Sequence, residues 1–431
     1  MAGIERTEPS GASKPLSPEA GSTRLAQRRR TGLTTFAAFQ VPSFRWFFSS
    51  SVTGTLGFQM QAVALGWLVY LLTGSALHLG IVTTTQAVCQ TVVSPLAGVI
   101  ADRVERRTYV MLVRSITVGV AIALAVLITT HQVVYWELVA AAGIFGIGFG
   151  LNGPARQALM AQLVDSDLLM NAVSLMSGGM NLMRIVGPAL AGFLIGVIGV
   201  GGIYDVLVVL YLLVILQLIP VPPQPVERRQ GSRNVVGDLF AGAAYSYHNP
   251  AVFGLLLFGT IPLFFAMPYV ALLPIFAEQI WHVGAQGFGL LAAAPGIGGL
   301  CGALVVASIS RSGYRGRLMI VSAAVYGLLL SAFAIAPSFY LAALFLLLSG
   351  GMSVAYSATV SSLVQSIIPN QMRGRVMSFY QMSFGVSGLS ALPASAAATV
   401  FGAPATVLVC GLLTAAAVLL LFRLRPVLAT L

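Results

Sequence analysis

One apolar stretch of the chain carries polar side chains at a spacing that suits ligand binding. Ser174, Ser177, Asn181 and Arg184 are separated by three, four and three residues, and side chains at such intervals share one face of an α-helix. A charge within an apolar segment is costly and normally faces a bundle interior or a wet cavity. We therefore predict that Ser177, Asn181 and Arg184 line a substrate cavity, in which Arg184 contacts an anionic or catechol-like group. An arginine that only hydrogen-bonds carbonyls between helices is the alternative.

Other apolar stretches also carry polar or aromatic residues at helical intervals, and these residues extend the candidate cavity. Such stripes indicate either a cavity lining or packing and hydrogen bonding between helices, and both alternatives stay open for each residue. The further cavity candidates are Gln59, Gln86, Gln90, Phe265, Tyr356 and Gln381.

The residue pattern does not contain the groups that an enzyme needs. There are no paired carboxylates, no nucleophile spaced with a base, and no phosphate-binding loop for ATP. The three cysteines and four histidines are scattered, without the spacing of a metal site or a disulfide framework. We therefore expect a protein that is not an enzyme and that holds no metal or other cofactor.

The composition places these residues in a membrane. Of the 431 residues, 57% are hydrophobic and only 8% are charged, whereas a soluble domain has about 25% charged residues. The net charge of +11 does not indicate nucleic-acid binding, because the basic residues form short clusters between long apolar runs and not a patch on a soluble face. We therefore expect a polytopic protein whose surroundings are the lipid bilayer.

Twelve apolar runs approach the length of about 20 residues that is needed to cross a bilayer. The predicted spans are residues 44–72, 78–100, 108–130, 135–156, 171–198, 203–221, 251–278, 286–309, 317–336, 339–366, 375–400 and 405–423.

The basic residues predict the orientation of these spans. With the N-terminus inside, every Lys and Arg except Arg184 falls on the inside, and the charged groups of the outside connections are Glu137, Asp205 and Glu278. Positive charge concentrates in cytoplasmic loops. Both termini are therefore expected on the cytoplasmic side of a bacterial inner membrane.

The longest interruption between the spans divides the chain into two halves. Residues 222–250 form a predicted cytoplasmic loop between two six-helix bundles, 44–221 and 251–424. The polar residues 1–43 are predicted to be a disordered cytoplasmic tail, and residues 425–431 a short tail. Two weakly repeated halves of this kind typically pack around a central cavity with substrate bound near the bilayer midplane.

A charged motif stands between the second and third predicted spans. The run from Gly98 to Arg107, Gly-Val-Ile-Ala-Asp-Arg-Val-Glu-Arg-Arg, resembles the G-x-x-x-D-R-x-G-R-R signature of the major facilitator superfamily. Glu105 replaces a glycine of that signature, as is common in the branch of enterobactin-exporter-like and macrolide-efflux-like carriers. The resemblance implies that Asp102 accepts hydrogen bonds from the start of the eleventh helix in one conformation only. The gating motif then consists of Gly98, Asp102, Arg103, Arg106 and Arg107; a merely basic turn is the alternative.

A second motif lies in the fifth predicted span. Residues 187–192, Gly-Pro-Ala-Leu-Ala-Gly, resemble the G-P-x-x-G-G element of proton-driven exporters, with Ala191 in place of one glycine. Proline kinks a helix, and small residues allow close helix contact. Gly187, Pro188 and Gly192 are therefore predicted to form a kink motif, for which an ordinary membrane-helix kink is the alternative.

These features together predict an all-α integral membrane protein with twelve transmembrane helices in two pseudo-symmetric six-helix bundles. We predict a monomeric secondary transporter that exports a small, partly hydrophobic molecule such as a macrolide or a siderophore, with protons as the coupling ion. Two observations count against proton coupling: the spans have no mid-membrane Asp or Glu, and the fourth span lacks the arginine of many drug/proton exchangers. The alternatives are a nutrient importer driven by proton symport and a non-transporting receptor or assembly factor.

Overall fold

The computed structural model describes residues 34–101, 104–223, 235–309, 315–369 and 387–424, together with a few residues between 372 and 385. Within these ranges the chain forms helices and no strands, as predicted. The helices are α1 (Pro42–Thr73), α2 (Ala76–Ala101), α3 (Arg106–Thr129), α4 (Tyr135–Leu163), α5 (Ser166–Leu218), α6 (Val235–His248), α7 (Pro250–Ala266), α8 (Tyr269–Ile275), α9 (Gly284–Ile309), α10 (Arg315–Ala334), α11 (Phe339–Ile367), α12 (Ala391–Phe401) and α13 (Ala403–Leu424).

Ten helical segments in the described ranges are long and apolar enough to cross a membrane. One of them is α5, whose 53 residues are interrupted at Gly199 by a left-handed backbone (φ 73°, ψ 178°). The two parts of α5 run in opposite directions along α1, because one set of contacts rises with the numbering of α1 and the other falls. The contacting pairs are 52 with 179 and 59 with 187 for the first part, and 50 with 214 and 57 with 211 for the second. Gly199 therefore forms a turn between two antiparallel helices.

Fewer full-length spans are described in the second half of the chain. Helix α12 has 11 residues, which is too short to span a bilayer by itself, and much of the preceding stretch lies outside the described residues. The twelve-span count therefore stays a prediction.

Two short helices lie in segments that the sequence predicts to be loop or tail. Residues Thr34–Gln40 form a 3-10 helix, and the Ala38 N–H donates a hydrogen bond to Asn171 Oδ1 (3.0 Å). The prediction of disorder is therefore wrong for residues 34–43, since α1 begins directly after this helix. Helix α6 occupies the second part of the predicted central loop.

The helices pair in the same way in both halves of the chain. In the first half α1 packs along α5, and α2 packs along α4; in the second half α9 packs along α11, and α10 packs along α11 and α13. The second and fourth spans of each half, α2 with α4 and α9 with α11, are thus equivalent partners. The halves meet where α5 packs on α9 and where α2 packs on α12.

The alternating helices give the protein two distinct ends. The basic end is the one where α3 and α10 begin and α13 ends, and its basic residues include Arg106, Arg107, Arg315, Arg317 and Arg423. At the opposite end the connections between helices turn at Gly74, Gly199, Gly284 and Gly402, each with φ between 59° and 84°. Glycine adopts this left-handed backbone without steric cost.

The two halves are in tight contact toward the opposite end. A Cβ added to Gly192 of α5 would lie 2.7 Å from the Cα of Gly289 in α9, so the two backbones touch. The rings of Trp67 in α1 and Phe288 in α9 stack with centroids 6.0 Å apart. Glycine removes the side chain that would otherwise hold two membrane helices apart.

Toward the basic end the same helices separate. Ser174 and Asn181 lie on the face of α5 that carries Gly192 about three to five turns further on, yet both are exposed. A Cβ added to Gly178 would meet no atom within 4 Å. On α9, Leu304 is 72% exposed. The space between the halves is therefore open at the basic end and closed at the opposite end.

A candidate substrate cavity

The predicted polar stripe of α5 faces this open space. Ser177, Asn181 and Arg184 are all exposed. At about 100° per residue, Leu182 and Phe193 lie on the reverse side of the helix, and they are also exposed, by 49% and 56%. Because the apolar side suits lipid, the polar side is the one turned toward the gap between the halves.

Arg184 belongs to a cluster of three arginines that come from three helices. Arg156 of α4 interacts electrostatically with both Arg114 of α3 and Arg184 of α5. Arg114 and Arg156 are each half-buried. We call Arg114, Arg156 and Arg184 the arginine cluster.

Charge counting along the sequence missed two members of this cluster. It counts Arg114 and Arg156 with the inside charges, although the predicted spans 108–130 and 135–156 contain them. In the structure Arg114 lies eight residues beyond the start of α3. Helix α4 continues to Leu163, beyond the predicted end of the fourth span at residue 156. Arg156 is therefore inside a helix and not in a connection between helices. The signal available in the sequence was the distance of Arg114 from its neighbours Arg106 and Arg107.

Arg114 is held by neutral groups. With the Asn152 amide oriented so that its oxygen faces α3, Asn152 Oδ1 accepts hydrogen bonds from Arg114 Nε (3.0 Å) and Nη2 (2.6 Å). A Cβ added to Gly54 of α1 would lie 3.0 Å from Arg114 Nη2, so this glycine leaves the room that the guanidinium occupies. The Tyr211 side chain is also close enough to Arg114 to interact with it electrostatically.

No carboxylate neutralises the cluster within the described part of the chain. Arg156 Nη2 lies 3.3 Å from the Sδ atom of Met180, and a thioether is only a weak acceptor. Glu105 and Glu137, two acidic residues of the same half, each cap the start of their own helix. The cluster thus places uncompensated positive charge beside the open space.

The polar candidates on α1 and α2 lie at contacts between helices. Gln59 is half-buried, and a Cβ added to Gly187 would lie 2.6 Å from its Cβ atom. Gln86 and Gln90 are half-buried where α2 packs against Gly146 and Gly150 of α4. Their surroundings fit packing at least as well as cavity lining.

Phe265 lines a different space from the polar stripe. It borders an apolar cavity of about 470 Å³ between α7, α12 and α13. Phe401 and Val409, which also line this cavity, are 71% and 52% exposed among other apolar side chains. Phe265 is thus separate from the arginine cluster.

Tyr356 does not line an open space in this conformation, contrary to the prediction. Its exposed fraction is 0%, and its ring stacks on that of Tyr326 with centroids 5.9 Å apart. The stripe that suggested a cavity lining here reflects packing between α10 and α11. Gln381 lies outside the described residues.

The gating motif is described only in part. Asp102 and Arg103 lie outside the described residues, and Gly98 belongs to the last turn of α2. Arg107 donates hydrogen bonds from Nε to the Leu218 carbonyl (3.1 Å) and from Nη2 to the Ile219 carbonyl (2.8 Å). It therefore fastens the start of α3 to the end of α5, a role that the sequence did not reveal.

Glu105, the residue that departs from the superfamily signature, starts α3. Its carboxylate accepts hydrogen bonds from the backbone N–H groups of Arg107 (3.0 Å) and Thr108 (2.7 Å). These are two of the N–H groups that a helix start leaves without a partner inside the helix. Glycine at this position would provide no such cap.

The kink motif joins α5 to both of its neighbours. Pro188 lies inside the helix, Gly187 contacts α1, and a Cβ added to Gly192 would lie 2.5 Å from the Ala285 carbonyl oxygen of α9. The motif therefore lies where the two halves of the chain touch.

Comparison with known proteins supports a membrane transporter. The family described as transmembrane secretion effector matches residues 33–430. The staphyloferrin A transporter of Staphylococcus aureus (strain NCTC 8325 / PS 47) is 24% identical over 373 residues, which cover 86% of this chain and 93% of the relative. The enterobactin exporter EntS of Citrobacter koseri is 27% identical over 340 residues, or 78% of this chain and 80% of the relative.

Solved transporter structures have the same fold. A D323A mutant of the nucleoside transporter NupG superposes with a TM-score of 0.72 at 14% identity, covering 88% of this chain and 99% of that one. A bacterial homologue of the human lysosomal transporter Spinster, in an inward-facing and unoccupied conformation, gives a TM-score of 0.69 at 13% identity, covering 90% and 97%.

Proposed function

We propose that this chain, which belongs to the transmembrane secretion effector family of major facilitator transporters, exports a small molecule from the cytoplasm by alternating access. The chain is a multi-pass membrane transporter and not an enzyme. The observation that carries the export proposal is the similarity to an enterobactin exporter. The gap between the two halves, which is closed at the opposite end and open at the basic end beside Arg184, provides the cytoplasmic access that export requires.

Cytoplasmic access to the open space follows from the orientation of the basic end. Basic residues concentrate on the cytoplasmic side of membrane proteins, so we place the basic end and both termini in the cytoplasm. The open space then receives substrate from the cytoplasm. Release on the other side requires the basic end to close while the contacts of Gly192 with Gly289 and of Trp67 with Phe288 separate, as in the rocking of two bundles around a fixed site.

The gating motif has a place in this cycle. We propose that Asp102, with Gly98, Arg103 and Arg106, stabilises the form that is closed at the basic end. A carboxylate at a helix end can accept hydrogen bonds from the free N–H groups of a neighbouring helix start, and such a bond exists in one form only. Arg107 contributes by holding α3 against α5.

A siderophore is the substrate class that we favour. Among the relatives, one is named as an enterobactin exporter and another as a staphyloferrin A transporter. We propose that a proton gradient drives export and that the protein works as a monomer. The resemblance of residues 187–192 to an element of proton-driven exporters supports the coupling.

Accumulation in living cells tests this function. An efflux-deficient bacterium would express the native chain or the Asp102→Asn variant, and mass spectrometry would measure intracellular siderophores and macrolides with and without a protonophore. We expect less intracellular siderophore with the native chain alone, and loss of this difference when the gradient collapses. Higher accumulation would make the chain an importer. No change for any compound, with the protein present in the membrane, would contradict a transport role for these substrates.

A further inference from the structure

We propose that the arginine cluster is a binding site for an organic polycarboxylate, and that Arg114, Arg156 and Arg184 together bind the carboxylate groups of the exported molecule. This inference rests on the proposed export function, which supplies an occupant for the open space. It adds Arg114 and Arg156 to the candidate site. It also specifies that the ligand carries several negative charges, which the family match does not.

The first argument is the convergence of like charges. Arg114 of α3 bonds to Asn152, which lies one helical turn before Arg156 on α4. Arg156 Nη2 in turn lies 3.3 Å from Sδ of Met180, which lies one helical turn before Arg184 on α5. The three guanidinium groups are therefore neighbours, and Arg156 interacts electrostatically with both of the others. Like charges in a partly buried setting repel each other, and charges within a membrane are normally paired. Among the residues that the structure describes, no carboxylate is within ion-pair distance of any member. A bound polyanion would supply the missing negative charge.

The second argument is that these arginines do not act as carbonyl caps. Arg107, half-buried in the same half of the protein, donates to two backbone carbonyls at the end of α5. In the described part of the chain, Arg114 and Arg156 bond instead to an amide oxygen and a thioether, and Arg184 has no hydrogen-bond partner. The alternative that Arg184 only hydrogen-bonds carbonyls between helices therefore lacks support.

The third argument is that the cluster is positioned in advance and still has free donors. A guanidinium has five N–H donors, and Arg114 uses two of its nitrogens, Nε and Nη2, on Asn152 Oδ1. Neutral partners orient the guanidinium without cancelling its charge. Arginine binds carboxylates through two parallel hydrogen bonds, which are stronger than bonds between neutral groups.

The fourth argument is access. Arg184 is exposed on the polar face of α5 that turns toward the open space, and Asn181 and Ser177 continue that face toward the basic end. A ligand that enters from this end meets polar side chains first and the cluster beyond them. Several carboxylates on one molecule match three arginines better than a single one does.

Ligand binding to the purified full-length protein in lipid nanodiscs tests the site without requiring transport. Calorimetry would titrate citrate, which has three carboxylates, against the native chain and the variants Arg114→Gln, Arg156→Gln and Arg184→Gln. Arg423→Gln removes the same charge at the exposed end of α13 and is the matched control. The uncharged trimethyl ester of citrate and the uncharged catechol 2,3-dihydroxybenzamide are the ligand controls.

We expect citrate to bind the native chain and the Arg423→Gln variant equally, and each cluster variant about 10- to 100-fold more weakly, which is the effect of one lost charge-assisted hydrogen-bonded pair. Arg184→Lys, which keeps the charge but loses the planar fork, should lie between. In the described part of the chain Arg184 makes no hydrogen bond, so removal of its charge relieves repulsion without breaking a contact. Arg184→Gln without ligand should therefore unfold at or above the native temperature.

Three results would overturn the site: equal citrate binding by the cluster variants, a lower unfolding temperature of Arg184→Gln without ligand, or binding of the ester or the catechol in preference to citrate. Absence of citrate binding by the native chain would also exclude the carboxylate class. The proposed function fails separately. If citrate binding depends on the cluster but no compound is exported from cells, the site stands and the export function is wrong. If the cluster variants export as well as the native chain, the export function stands and the site is wrong.

Discussion

At the scale of single residues, arginines with the same charge have different roles according to their partners. Arg107 donates to two carbonyls at the end of α5, which makes it a structural contact. Arg156 lies next to a thioether and two other arginines, which makes it a candidate for ligand binding. Substitution of Arg107 should therefore lower the stability of the fold and leave the ligand affinity unchanged, whereas substitution of Arg156 should mainly lower the ligand affinity.

The prediction at this scale concerns Arg107→Gln. Loss of two charge-assisted hydrogen bonds should lower the free energy of unfolding by about 1–3 kcal/mol, because the carbonyls at the end of α5 lose their donors. Thermal unfolding in nanodiscs measures this change, and Arg107→Lys, which can keep one of the bonds, should lose less. Citrate affinity should stay at the native value. An unchanged unfolding temperature would show that these bonds contribute little.

At the scale of helices, the small residues of α5 decide how closely the two halves approach. Gly192 touches the backbone of α9, whereas Gly119 of α3 has no atom within 4 Å of an added Cβ. A large side chain at Gly192 has no space unless α5 and α9 separate. The same side chain at Gly119 displaces nothing.

The prediction at this scale compares Gly192→Leu with Gly119→Leu. Gly192→Leu should disfavour the form that is closed at the opposite end, so that the basic end closes more often. The readout is the labelling rate of Ser177→Cys by a water-soluble maleimide, with the three native cysteines replaced by serine. Labelling should slow severalfold with Gly192→Leu and stay unchanged with Gly119→Leu. Equal rates in both would contradict a gate at the contact of α5 with α9.

The sequence predicted where the helices lie better than it predicted how far each polar residue lies from a helix end. Spacing alone identified the polar face of α5 that carries Asn181 and Arg184, because periodicity is a local property. Arg114 and Arg156 lie within the predicted spans 108–130 and 135–156, but they were counted with the inside charges. A basic residue a few positions from a helix end has the pattern of a loop residue. Tyr356 was misplaced because a polar or aromatic stripe looks the same whether it meets water or another helix.

At the scale of the whole molecule, the repeated pairing of helices in the two halves produces one gap with two possible openings. The contact of Trp67 with Phe288 and that of Gly192 with Gly289 close one end, and the exposed polar face of α5 marks the other. A carrier of this kind binds from the side that is open and releases after the halves rock about the site. Export further requires that the open basic end faces the cytoplasm.

Transport into membrane vesicles of defined orientation tests this account most directly. Inside-out vesicles present the cytoplasmic side to the medium, and an imposed proton gradient, acidic inside, would drive uptake of a labelled siderophore. The account predicts uptake by inside-out vesicles that contain the native chain, and loss of this uptake with a protonophore or with Gly192→Leu. Right-side-out vesicles in an acidic medium, which is the direction of the gradient in the cell, should show no uptake. Uptake by right-side-out vesicles alone would contradict export and identify the chain as an importer.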